Sequence, residues 1–236
     1  KSEIRVSKPN WLMWIDERSG TKVSSFHEYK SDIVEYLAAK FVKYKRAGIL
    51  VKKVRCDNAG ENKAFEKEIN GRKYQLRIEF EYTAKKSPQQ NSFTDVDIAT
   101  IANRGRAMMN RANVPEKYRY VLFKYAVTTA TKLDMLLVVE IDNSTAMRCL
   151  HWAGTVPRFL KHLRTWGETG TVTTKMDNTP KPKNRGVHCM MVGMLMDTQE
   201  TVTKCGIRKL TRYTRVGTWC FCRECYSRDL MILLLA

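Results

Sequence analysis

Three aspartates carry the chemistry that these residue types allow. Asp57 follows the run Val54-Arg55-Cys56 and leads into Asn58-Ala59-Gly60-Glu61-Asn62. Asp16 closes the apolar run Trp11-Leu12-Met13-Trp14-Ile15, and Asp95 stands just beyond Ser87-Pro88-Gln89-Gln90-Asn91. A carboxylate at the end of a strand is delivered to one rim of a sheet, and a second acid opening a later helix can face it there. Carboxylate oxygens gathered in this way are ligands for hard divalent cations. Two such cations about 3.5–4 Å apart activate a water or a 3′-hydroxyl, relieve charge at phosphorus and stabilise the leaving oxygen. Taken alone, Asp16 and Asp57 read more plainly as solvated strand-end acids, and Asp95 as a helix-start acid favoured by the macrodipole.

The elements that must position them follow from hydrophobic period. Residues 11 to 16 and 21 to 27 predict a hairpin turning at Arg18-Ser19-Gly20. Ile33, Val34, Leu37, Phe41 and Tyr44 recur at helical spacing from Asp32 to Arg46, with Gly48 at a stop position. A buried strand is expected over 49–55, a short helix over 63–69, and a strand over 75–82 with Leu76, Ile78 and Phe80 alternating. The segment from Thr83 to Ser92 has no period and predicts a mobile loop. Helices are expected from Thr94 to Arg111 and, after Pro115, from Glu116 to Leu133. Residues 140 to 165 read as a connector carrying Trp152, Pro157 and the basic side chains Arg158, Lys161, His162 and Arg164. From Trp166 onward short β-prone runs at 170–174, 189–195, 213–221 and 227–235 predict a small all-β barrel, with a stiff basic loop over 178–186.

Composition bounds the partners. The chain has 236 residues, enough for one core and a smaller module, and 42 Lys plus Arg against 24 Asp plus Glu give a formal net charge of +18. A field of that sign and size favours a polyanion, and nucleic acid fits better than membrane because the cations are dispersed among aromatics and folded segments. No apolar run approaches the roughly 20 residues needed to span a bilayer. Seven cysteines without regular spacing argue for a reducing, intracellular setting. Cys220, Cys222 and Cys225, with His188-Cys189, offer zinc ligands, but alternation with Trp219 and Phe221 fits a strand better. Met190, Met191, Met194 and Met196 read as core filling. A chain that begins at Lys1 and shows no amino-terminal signal reads as a fragment or a processed piece.

The three acids and their surroundings resemble the integrase of copia-type long-terminal-repeat retrotransposons. In that family one Asp follows an apolar strand, a second lies in an Arg-Ser-Asp-Asn-Gly-Gly-Glu string, and a third acid follows Pro-Gln-Gln-Asn-Gly. Arg104-Gly105-Arg106-Ala107-Met108-Met109-Asn110-Arg111-Ala112-Asn113-Val114-Pro115 is similar to the helix after the third acid. His151-Trp152-Ala153-Gly154 with Leu163-Arg164-Thr165-Trp166-Gly167 resembles the connector, and Arg185-Gly186, Met190-Met191-Val192-Gly193 and Ser227-Arg228-Asp229-Leu230 resemble the β-domain that follows.

The resemblance implies a ribonuclease-H-like mixed sheet flanked by helices over 1–138, a basic connector over 139–165 and an SH3-like barrel over 166–236. It also implies Asp16, Asp57 and Asp95 as catalytic residues and ligands of two Mg²⁺ or Mn²⁺ ions. Lys85, Lys86, Gln89, Gln90, Asn91, Arg104, Arg158 and Lys161 become candidate DNA contacts. The implied activity is joining of element DNA ends to double-stranded target DNA by a homo-oligomer, in the nucleus at the integration step. The chain departs from the family where Asp95 replaces Glu, Ser92 replaces Gly, and Val96, Asp97, Ile98 and Ala99 stand in place of basic residues. Losing one methylene withdraws a carboxylate by about 1.5 Å. A second function class therefore stays open: an integrase-derived protein that binds nucleic acid without catalysis.

Overall fold

The computed structural model describes residues 10–83, 88–173, 186–194, 214–216, 219–221 and 230–235, with backbone alone at 88–93, 158, 162, 171–173, 186–189, 194 and the strands after 213. It is a mixed α/β chain. The first hairpin forms as expected, β1 (Asn10–Ile15) pairing antiparallel with β2 (Lys22–His27) so that Ile15 faces Lys22. Helix α1 (Ser31–Arg46) buries Leu37, Ala38 and Phe41. Strand β3 (Lys53–Cys56) runs parallel to β4 (Glu79–Tyr82), joined through α2 (Gly60–Asn70). Then come α3 (Pro88–Arg111), α4 (Glu116–Asp134), a hairpin β5 (Val138–Ile141) and β6 (Ser144–Met147), α5 (Arg148–Ala153) and a 3-10 turn Arg158–His162.

Several expected boundaries move for identifiable reasons. The strand expected over 49–55 starts only at Lys53, because Gly48 (φ 81°) and Ile49 close α1 instead: Gly48 N donates to the Lys45 carbonyl at 3.1 Å and Ile49 N to the Tyr44 carbonyl at 2.9 Å. That bond pair is a Schellman motif. Nor is β3 buried; its residues alternate between exposed and half-buried. The strand expected over 75–82 shortens to 79–82, since Gln75 (φ 50°) and Arg77 (φ 54°) are left-handed and cannot continue a ladder. Residues 88–92, expected as loop, are helical, with Pro88 in the first turn where its missing N–H costs nothing. The connector contains a hairpin whose Asp142 (φ 51°) and Asn143 (φ 62°) supply the two positive φ angles of a type I′ turn.

Contacts gather the chain into two compact units, one of 6–101 with 134–155 and one of 1–5, 102–133 and 156–236. In the first, Leu37, Ala38, Phe41, Phe65, Ile69 and Ile78 form the core, with Leu12, Trp14, Tyr44, Val54 and Phe80 packed around it. Aromatic rings knit it together: Phe41 meets Phe65 edge-on at 5.5 Å, and Trp14, Tyr44 and Trp152 lie within 5.0–5.6 Å of one another.

In the second unit Met109, Val114, Tyr118, Leu122, Ala126, Trp166, Met190 and Val192 form the core, and Trp166 Nε1 donates to the Val192 carbonyl at 2.7 Å. Met190 and Met191 are buried, as the core-filling reading expects. The turn between α3 and α4 repeats the Schellman pattern with Asn113 (φ 50°) in the glycine position, Val114 N reaching the Met109 carbonyl at 3.1 Å.

The expected single mixed sheet is seen as separate ladders: no pairing among the described residues joins β1–β2 to β3–β4. The C-terminal strands β7 (Thr169–Thr173), β8 (Gly186–Met194), β9 (Thr214–Val216), β10 (Trp219–Phe221) and β11 (Leu230–Leu235) form one antiparallel sheet in the order β7-β8-β11-β10-β9. No pairing among the described strands closes it into a barrel.

Candidate functional site

Asp16 follows β1 directly and Asp57 follows β3 directly, so each acid leaves the C-terminal end of a strand. The two ends are tied together by an ion pair between Arg55 and Glu17 at 2.8 Å. Arg55 also meets Glu81 of β4 at 3.1 Å, and Lys53 meets the same carboxylate at 2.6 Å. These pairs are exposed and contribute little stability; their value is in marking which strand ends are neighbours. A cavity of about 430 Å³ opens here, lined by Arg55, Glu81, Tyr82 and Thr83 among the described residues. It sits where the parallel strands β3 and β4 end, which is the usual place for a ligand in a parallel sheet.

Each carboxylate at this rim has local work. Asp16 Oδ2 accepts the Ser19 backbone N–H at 2.8 Å and the Ser19 hydroxyl at 2.6 Å, and the Asp16 carbonyl accepts Gly20 N at 2.8 Å. Asp16 therefore builds the hairpin turn. Asp57 Oδ1 accepts Asn62 Nδ2 at 2.6 Å, a bond that holds the start of α2 against the end of β3. Beside it Lys30 bonds Glu61 at 2.6 Å, and that hydrogen bond holds the Glu61 carboxyl below its usual range. Cys56, half-buried, has its thiol pushed up to about 11 by burial first and then by Asp57 and Glu66.

Asp95 is exposed on α3. Its neighbour Asp97 is the acid that turns inward, meeting Lys22 at 3.2 Å. Lys22, with only 4% of its side chain exposed, also pairs with Asp134 at 3.0 Å and donates to the Gly20 carbonyl at 3.3 Å. Arg148 completes the knot by pairing with Asp134 and donating to the Gly20 carbonyl at 3.2 Å. The four charges cancel. Sequence reading did not find this cluster. The one available signal was a lysine, Lys22, set opposite the apolar run Trp11 to Ile15.

Among the described residues no three His, Cys, Asp or Glu side chains stand close enough to hold a metal ion. Asp16, Asp57 and Asp95 belong to no such group. Of the candidate DNA contacts, Arg104 is half-buried on α3 and Lys161 is exposed in the 3-10 turn. The backbone at Gln89, Gln90 and Asn91 is helical and that at Arg158 lies in the 3-10 turn, while their side chains lie outside the described residues, as do Lys85 and Lys86. The zinc reading also falls outside, since Cys222 and Cys225 are not described.

No family model matches the chain, and no curated protein matches it. Among solved structures it is similar to a chain of the simian T-cell lymphotropic virus intasome in complex with PP2A regulatory subunit B56 gamma, at 13% identity and a TM-score of 0.41, covering 80% of this chain and 68% of that one. A likeness this slight assigns neither fold nor function. No helix among the described residues is long and apolar enough to cross a membrane.

Proposed function

We propose that the chain is an integrase-class protein that binds double-stranded DNA, acting in the nucleus as a homo-oligomer on element ends and target. The observation that carries the class is the pair of acids leaving adjacent strand ends, Asp16 after β1 and Asp57 after β3, with Glu17 and Arg55 bridging the ends at 2.8 Å. The formal net charge of +18 supplies the attraction for a polyanion. DNA binding is the part of this reading that the charge supports directly.

A second reading is favoured by the same strand-end positions: joining of DNA 3′ ends with Mg²⁺ or Mn²⁺. It requires Asp16 to give up its bonds to Ser19, Asp57 to give up Asn62, and Asp95 to approach both.

The two readings separate in one set of measurements. Binding of a labelled duplex is followed by fluorescence anisotropy between 50 and roughly 200 mM salt, a span over which several phosphate contacts cost on the order of 10³-fold or more in affinity. Manganese is titrated by calorimetry, and strand transfer is assayed with terminal-repeat oligonucleotides. Salt-dependent binding without calorimetric heat or joined product is the expected result. Joined product that disappears in Asp57→Asn overturns the first reading in favour of the second. Product seen only in Asp95→Glu identifies the shortened side chain as the lesion.

A further inference from the structure

Between Glu35 and Asp57 the chain carries no acid and seven cations: Lys40, Lys43, Lys45, Arg46, Lys52, Lys53 and Arg55. Lys53 and Arg55 are engaged by Glu79, Glu81 and Glu17. Lys40 is half-buried, with its ammonium over the Tyr36 ring at 5.4 Å. That leaves Lys43, Lys45, Arg46 and Lys52, all exposed, around the turn from α1 into β3. We infer that these four side chains form a phosphate-contacting surface for duplex DNA, a site separate from the Asp16 and Asp57 rim and from the contacts expected on α3 and the connector. The inference rests on the DNA-binding reading above and names where that binding occurs.

The backbone beneath them is held at both ends. The Schellman bonds at Gly48 and Ile49 fix the close of α1, Tyr44 on that last turn packs edge-on against Trp14 and Trp152, and the Lys52 carbonyl accepts Glu79 N at 3.0 Å. Long cations on a fixed backbone lose only their own rotamer freedom on meeting a phosphate row, so less binding energy is spent on ordering.

A simpler account of part of this patch is available: Lys43, Lys45 and Arg46 lie in the last turn of α1, where cations complement the helix dipole. That effect fades within one turn, so it does not explain Lys52, six residues beyond the helix. Nor does it explain why the sequence between Glu35 and Asp57 carries no acid. On α2, by contrast, Lys63 and Lys67 are interleaved with Glu61, Glu66 and Glu68. A membrane surface is the poorer partner, because Leu50 is the single large apolar side chain exposed among these cations and an interfacial anchor needs an apolar face.

The test uses the full chain and a labelled duplex. Lys43→Gln, Lys45→Gln, Arg46→Gln and Lys52→Gln are combined, against a control carrying Lys63→Gln, Lys67→Gln, Arg72→Gln and Lys73→Gln, which removes the same charge. The slope of log affinity against log salt is expected to fall by about 3 to 4 in the first variant and by less than about 1 in the control. Lys52→Gln alone leaves the helix untouched and is expected to lower the slope by about 1, so the inference stands or falls even if the fourfold variant unfolds. Equal falls in both fourfold variants, or no fall in either, overturn the inference while the DNA-binding reading stands. Failure of the unmodified chain to bind the duplex overturns both. Loss of binding to phosphatidylserine vesicles with duplex binding unchanged overturns it in favour of a membrane.

Discussion

Replacing Lys22 with Met tests the buried charge knot most directly. The ammonium lies 3.0 Å from Asp134, 3.2 Å from Asp97 and 3.3 Å from the Gly20 carbonyl, and Asp134 has only 2% of its side chain exposed. Met keeps the length and the apolar stem but removes the charge. Asp134 keeps its pair with Arg148, but Asp97 loses its ion pair with Lys22, so one negative charge is left without compensation. Removing one partner of a buried pair costs about 3–5 kcal/mol. For a urea dependence of about 2–3 kcal/mol/M, the unfolding midpoint falls by roughly 1–2 M. Urea unfolding followed by tryptophan fluorescence reads this, since Trp14 and Trp152 belong to the same unit as the knot. The double variant Lys22→Met, Asp97→Asn restores neutrality while keeping the Arg148–Asp134 pair, and is expected to recover most of the loss. A single variant that loses less than about 1 kcal/mol, or a double variant no more stable than the single, would show that solvent rather than the ion pairs compensates Lys22.

Other outcomes follow from particular contacts. Gly105→Ala places a methyl 3.0 Å from Val127 Cγ2 and 3.2 Å from its backbone N, and the clash outweighs the better helix propensity of Ala, for a loss of about 1–2 kcal/mol on thermal melting. Gly167→Ala is more damaging, because φ is 85° and the added carbon collides with Ala112; soluble expression is expected to drop sharply relative to Gly105→Ala. Burial holds the Lys132 ammonium down to about 8, below its unfolded value, so the unfolded chain binds the extra proton between about 8 and 10.5 and stability rises with pH across that window. Lys132→Met is expected to flatten that rise in chemical unfolding at pH 7.5, 9 and 10. Cys56, with its thiol raised to about 11, is expected to alkylate far more slowly than a free thiol at pH 8, as peptide mapping after iodoacetamide treatment would report.

Local pattern made much of the fold legible. The apolar run from Trp11 to Ile15 and the turn at Ser19-Gly20 located the first hairpin, and the spacing of Ile33, Leu37 and Phe41 located α1 to within a residue. Where pattern misled, backbone conformation had overruled it. Gln75 and Arg77 take left-handed angles that no hydrophobic period reveals, and Gly48 spends itself on a helix cap so that Ile49 to Val51 never join a strand. The Asp142-Asn143 turn is readable in principle, as two turn-forming residues between Val-Ile-rich and Thr-containing runs, but it lies where the hydrophobic pattern weakens.

For the site, the types and strand-end positions of Asp16 and Asp57 were readable. Their engagement by Ser19 and Asn62 was readable only as short-range polar neighbours. The knot of Lys22, Asp97, Asp134 and Arg148 was not, because its members are joined by tertiary folding and no spacing links them.

That knot also sets an order of events during synthesis. Lys22 and Asp134 are separated by 112 positions, and a ribosome adding about 5–20 residues per second needs roughly 6–22 seconds to make the second after the first. Until Asp97 emerges the hairpin can pair its strands but its lysine lacks both carboxylates of the knot, and from then until Asp134 it has only Asp97. Closing so long a loop costs on the order of 4 kcal/mol in chain entropy, so the clasp forms late, once residues up to Arg148 have emerged. A nascent chain halted before that point leaves Lys22 without its bond to Asp134.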